Sequence, residues 1–274
     1  MKLKLSKYVF DELYDKCLKI FQDYREVVPS YASAALAFHL VMILVPCFSL
    51  LAVAMSILNV NMAGLENIIN ELVTSEYASI LIEVLESRNL NTMAFATIIV
   101  SLWTISKGIG NIYQISKNMF MNDKDESSIG FYMYAFKLTF LILFLFVGVC
   151  AVLLTGPLAE IFNSLYNLVG IRHILLYFLL VLVFMVIYSV VPRLHIHPAD
   201  SFQGALVACA LYLVLYYALS IYFKFANFSN VYGSMASVII ILWVFKWAAE
   251  IFYVGMYVTN ILHLRRLEDE GNSD

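Results

Sequence analysis

Charged side chains are scarce in this 274-residue chain, Asp, Glu, Lys and Arg together making up 14% against about 25% in an average soluble domain. With 62% apolar residues, the shortage excludes a water-soluble enzyme, because a globule of this length could not hide so much apolar surface. Proline and glycine are also few, five and 11, which excludes a collagen-like or disordered chain. Nor is there an excess of basic charge. Seventeen basic and 20 acidic side chains leave a net charge of −3, so no positive field gathers nucleic acid and no nucleic-acid partner is expected. The four cysteines (Cys17, Cys47, Cys150, Cys209) lie far apart without Cys-x-x-Cys spacing and read as small hydrophobes in helices.

Aromatic and aliphatic residues are abundant. The chain holds 20 Phe, 18 Tyr and 3 Trp at a mean hydropathy of +0.82, the composition of lipid-facing and interfacial surfaces. These figures imply an all-α, polytopic membrane helix bundle. A helix needs about 20 mostly apolar residues to cross the hydrocarbon core, and six stretches meet that length: Ala32–Leu58, Thr92–Ile112, Phe131–Leu154, Ile171–Val191, Phe202–Phe223 and Ser234–Leu262. The second is interrupted by Lys107, Gly108 and Gly110 and is expected to end in a polar segment.

The organisation that follows is an N-terminal segment 1–28, a transmembrane domain 32–262 with an external loop 59–91, and a tail 263–274. Residues 1–28 lack the uninterrupted apolar core of a signal peptide. Phe10, Leu13, Tyr14, Cys17, Phe21 and Tyr24 recur at helical spacing, which predicts an amphipathic cytoplasmic helix lying on the membrane surface or against the bundle. Leu65–Leu85 reads as short amphipathic external helices between the first two spans. Basic flanks are retained in the cytoplasm. Six spans with an internal N-terminus put twelve Lys and Arg residues inside and only Arg88, Arg172 and Lys224 outside, so both termini are expected in the cytoplasm. Glu66, Glu71, Glu76, Glu83 and Glu86 make the first outer loop acidic.

From Val191 to Leu262 the chain resembles the YihY/BrkB family of bacterial inner-membrane proteins, once labelled ribonuclease BN. The likeness rests on Tyr232-Gly233-Ser234 opening a last span that continues to Trp243, and on Gly204-Ala205-Leu206 at the start of the fifth span. An alanine-rich first span with Pro46, and Asn111-Ile112-Tyr113 after the second, extend it along the chain. One departure stands out: the family often closes its last span with Gly-Ala-Glu, whereas Gly255 is followed here by Met256 and Tyr257. The resemblance implies a six-helix, multi-pass protein of the bacterial cytoplasmic membrane.

Enzymatic constellations are sparse. His195-Ile196-His197-Pro198-Ala199-Asp200 is similar to part of a His-x-His-x-Asp-His zinc motif, but Ala199 stands where Asp is needed and no second His-rich block supplies further ligands. A plain cytoplasmic turn, shaped by Pro192 and Pro198, accounts for the same residues. No nucleophile elbow, phosphate loop or dinucleotide fingerprint occurs, so neither catalysis nor a metal or other cofactor is expected.

Lys246 and Glu250 lie near the middle of the sixth stretch. A charge at the centre of a helix in lipid costs about 2.5–3.5 kcal/mol, so these two are expected to form a structural ion pair, to line a translocation path, or, for Lys246, to snorkel to an interface. Lys before Glu at four-residue spacing is the less favourable order. Asn227, Ser229, Asn230 and Tyr232 form a polar turn before Gly233 and Ser234. It is either a tight hairpin capped by Ser234 or Asn230, or a contact for a lipid headgroup or substrate. The functional expectation is transport or transbilayer movement of a small or lipidic substrate, with membrane lipids as partners. The alternative is a non-catalytic envelope scaffold or virulence-type membrane factor, and a third reading is a membrane ribonuclease using His195 and His197.

Overall fold

The computed structural model describes residues 15, 18–42, 92–121, 127–154, 169–225 and 233–271, and every element among them is helical. Helix α1 covers residues 18–27 and α2 Ser30–Met42. They are followed by α3 Thr92–Met119, α4 Ser128–Leu154, α5 Val169–Val190, α6 Pro198–Phe225 and α7 Gly233–Gly271. Among the described residues three helices are long and apolar enough to cross a membrane, over Ser128–Leu145, Pro198–Tyr222 and Ile239–Gly271; Ser30–Met42 and Tyr177–Val190 are shorter apolar helices. The rest of the first expected span, the external segment 65–85 and the turn residues Asn227, Asn230 and Tyr232 lie outside the described residues.

Local chemistry places the helix ends. Pro29 has no N–H and disfavours helical backbone at Val28, so α1 stops at residue 27 and α2 starts afresh at Ser30. Ser127 caps α4, its Oγ accepting from Gly130 N at 3.2 Å. Beyond α3, Met121 takes the left-handed conformation, φ 46°, which ends the helix before Ser127 begins the next. Pro198 occupies the first turn of α6, where its missing N–H costs nothing, and Asp200 adds a negative charge at the same positive helix end.

Two helices run further than their apolar content predicts. The second span was expected to give way to polar chain near Ile112, yet α3 continues to Met119. Lys107, Asn111 and Gln114 share one face of it, while Ile105, Ile109 and Tyr113 are buried on another, so the polar residues do not interrupt the packed side. The tail expected from residue 263 likewise begins as helix, because α7 runs unbroken to Gly271.

The most extensive packing joins α6 to α7, followed by α5 to α6 and α3 to α4. Gly204, Ala205, Ala208 and Cys209 line one face of α6, and small residues let helix backbones approach closely. A Cβ on Gly204 would fall onto Thr259 Oγ1 and 2.6 Å from the Gly255 carbonyl oxygen. A Cβ on Gly255 would strike Tyr188 Oη and come within 2.7 Å of Ala208 Cβ. Tyr188 donates to Phe252 O at 2.9 Å and Tyr212 to Ala248 O at 2.7 Å, each worth about 0.6 kcal/mol by the average for such interhelical bonds in membranes.

The outward faces carry large apolar residues in rows. Tyr132, Phe136, Phe140 and Phe144 on α4, and Ile239, Trp243 and Trp247 on α7, recur every fourth residue and are all exposed. A water-soluble protein does not display such stripes on several helices at once, whereas lipid contact requires them.

Candidate functional site

Glu250 is the half-buried acid of the α7 inner face, and its partners come from α1. Its Oε1 accepts from Tyr24 Oη at 2.9 Å and lies 2.8 Å from Arg25 Nη2. The Arg25 guanidinium also sits over the rings of Phe21 and Tyr24, at 5.2 and 5.3 Å, and Tyr24 meets Tyr257 edge to face at 5.3 Å. Burial, and next the Glu250 carboxylate, push the Tyr24 hydroxyl well above the ordinary phenol value, so it stays protonated and donates. Of the residues expected to form an apolar stripe on α1, Tyr24 therefore packs against α7 and Phe21 is exposed.

Lys246 is not the cation of this cluster. It is exposed, beside Trp243 and Trp247 on the outward stripe, while Glu250 turns inward. The expected pairing of Lys246 with Glu250 is thus replaced by Arg25 with Glu250. Trp243, carried over from the family motif, lies on the exposed outer row and meets Trp247 at 6.1 Å. Gly233 and Ser234 open α7.

At the other end of the α6–α7 pair, the buried Asp200 accepts two hydrogen bonds from Arg266, Nη2 to Oδ1 at 2.7 Å and Nε to Oδ2 at 3.0 Å. This bidentate clasp joins the start of α6 to the extension of α7. Both Asp200 oxygens are occupied by it, and His195 and His197 are exposed on the preceding loop. The residues compared with a zinc motif therefore do not converge. Nearby, Asn260 Nδ2 donates to Met119 O at 3.0 Å and holds the end of α3 to α7.

A cleft of about 340 Å³ opens between α3 and α4. Trp103, Ser106, Lys107, Asn111 and Gln114 line it from α3, and Phe131 and Tyr132 from α4, with Gly110 and Ala135 as its floor. Its described lining contains one cation and no acid. Lys107 Nζ stands 5.4 Å from the centroid of the Trp103 ring, a cation–π contact worth about 0.5–1 kcal/mol at an exposed site.

The family model described as virulence factor BrkB matches residues 20–274. The chain belongs to the BrkB family. No curated protein and no solved structure matches it. In this BrkB-family chain the match begins inside α1, so Arg25 and Glu250 both fall within it.

The cleft is the feature that sequence reasoning missed. Lys107, Gly108 and Gly110 read as an interruption that closes a span in polar residues, whereas the spacing of Lys107, Asn111 and Gln114, four and three residues, puts all three on one helix face. That spacing, set beside Trp103 one turn earlier, is the signal that could have found it.

Proposed function

We propose that this BrkB-family protein is a non-enzymatic, six-span protein of the bacterial cytoplasmic membrane, both termini inside, that moves a small or lipidic substrate. The reading rests on one observation: a cleft between α3 and α4 holds a lysine with no carboxylate partner among the described residues, beside two amides and the hydroxyls of Ser106 and Tyr132. An exposed cation facing a cleft with hydrogen-bond donors beside it and no acid in its described lining is placed to take an anionic ligand. The twelve-to-three distribution of basic residues supports the orientation.

The test is movement of a fluorescent phosphatidylglycerol across proteoliposome membranes, read by chemical quenching from outside. The wild type is expected to accelerate exchange over protein-free vesicles, and Lys107→Met to slow it about tenfold. A wild type no faster than empty vesicles, or an unimpaired Lys107→Met, contradicts the reading.

The family description favours a second reading equally, a virulence-type membrane factor that serves as an envelope scaffold. Its working surfaces would be α1 and the acidic outer loop. On that account Lys107→Met leaves every envelope phenotype unchanged, and removal of residues 18–27 does not.

A further inference from the structure

The side chains around Lys107 specify the chemistry of a ligand, an inference that rests on the substrate-moving reading. Among the described residues no carboxylate pairs with Lys107; its recorded partner is the Trp103 ring. Asn111 follows one turn later and Gln114 a turn after that, so hydrogen-bond donors span seven residues, about 10 Å of one helix face. A cationic ligand would need an acid, and the described lining has none. An oxyanion with several acceptor oxygens matches a lysine flanked by amides, since each charge-assisted bond is about twice as strong as a neutral one.

The mouth of the cleft indicates what the anion is attached to. Tyr132, on its α4 wall, begins the exposed row Tyr132, Phe136, Phe140 and Phe144. The row extends about 18 Å along the helix, leading from the charged cleft over a continuous apolar surface. A headgroup at Lys107 thus leaves an acyl chain lying against aromatic rings.

We infer that the α3–α4 cleft is a binding site for a phosphate-type oxyanion, with Lys107 as its counter-charge, Asn111 and Gln114 as donors, and the α4 aromatic row as the seat of an attached acyl chain.

The experiment is retention of lipid by the full-length protein in detergent. Equal amounts of dioleoyl phosphatidylglycerol and dioleoyl phosphatidylcholine are supplied, and bound lipid is read by native mass spectrometry. Wild type is expected to retain the phosphatidylglycerol about tenfold over the zwitterionic lipid. Lys107→Met should bring the ratio near parity and Lys107→Arg should restore it. Lys137→Met, exposed on α4 outside the cleft lining, should leave it unchanged. Gly110→Ala narrows the cleft floor without touching a charge and should weaken retention, which keeps the inference testable if Lys107→Met does not fold.

A second arm adds inorganic phosphate. Lysine-dependent binding of phosphate without lipid retention supports the oxyanion site and assigns it a soluble ligand; retention of phosphatidylglycerol against phosphate assigns a lipid headgroup. Retention that is indifferent to headgroup, or unchanged in both Lys107→Met and Gly110→Ala, overturns the inference. A protein that retains phosphatidylglycerol through Lys107 yet moves no lipid leaves this site standing and refutes the transport reading. Movement of substrate without any phosphate preference does the reverse.

Discussion

Tyr24 donates its hydroxyl to Glu250 Oε1 at 2.9 Å across 226 positions of chain, and Arg25 approaches the same oxygen at 2.8 Å. The first described helix is thereby fastened to the last.

Arg25→Met and Glu250→Gln should each destabilise the protein, and a double-mutant cycle between them should give a coupling of about 1 kcal/mol. The figure is kept low because the Arg25 side chain is 33% exposed and shares its field with solvent. Thermal unfolding in detergent measures it. The matching cycle with Lys246→Met and Glu250→Gln should give a coupling near zero.

Alkali should loosen the same contact. The Tyr24 hydroxyl is held above its ordinary value of 10.0 in the folded protein, so the folded state keeps a proton that the unfolded state gives up. The stabilisation is complete below that value and falls as pH rises through it. Tyr24→Phe should reduce the loss of thermal stability between neutral and strongly alkaline pH, measured against wild type.

Asp200→Asn should cost about 2 kcal/mol, because it removes the charge from a bidentate pair whose acid is buried. Arg266→Lys should not preserve stability, since an ammonium cannot reproduce the fork. The readout is the rate of maleimide labelling at Cys209, which is buried on the face of α6 beside α7; loosening that end should raise it.

Glycines separate packing from function. Gly204→Ala should destabilise by about 1–3 kcal/mol, because its Cβ meets Thr259 and backbone oxygen. Gly110→Ala should be tolerated or slightly stabilising, by about 0.5–1 kcal/mol, since the nearest atom to the new Cβ is Ala135 Cβ at an ordinary 3.6 Å. Thermal melts of the two variants in one detergent should diverge accordingly.

The contrast between these glycines also shows which features local sequence can reveal. The all-helical architecture was legible because α4, α6 and α7 each carry an apolar run long enough to meet the bilayer length rule. The family likeness was legible because its motif residues are contiguous. The Tyr24, Arg25 and Glu250 cluster was not, since its members come from opposite ends of the chain and only tertiary packing selects Arg25 over the nearer Lys246. Asp200 drew attention through the histidines beside it, whereas its partner, Arg266, lies 66 positions away. The cleft is hidden in the sequence because Lys107 and Gly110 read as breaks in a hydrophobic run. In the fold they belong to a helix whose opposite face remains fully packed.

Crossing number and orientation are decided most directly by labelling. In a background with all four cysteines replaced, single cysteines at Asn67 and Asp274 are exposed to a membrane-impermeant maleimide in intact cells. An even number of crossings with the termini inside predicts reaction at position 67 before permeabilisation and at position 274 only after it. Reaction of both positions from the same side contradicts the account.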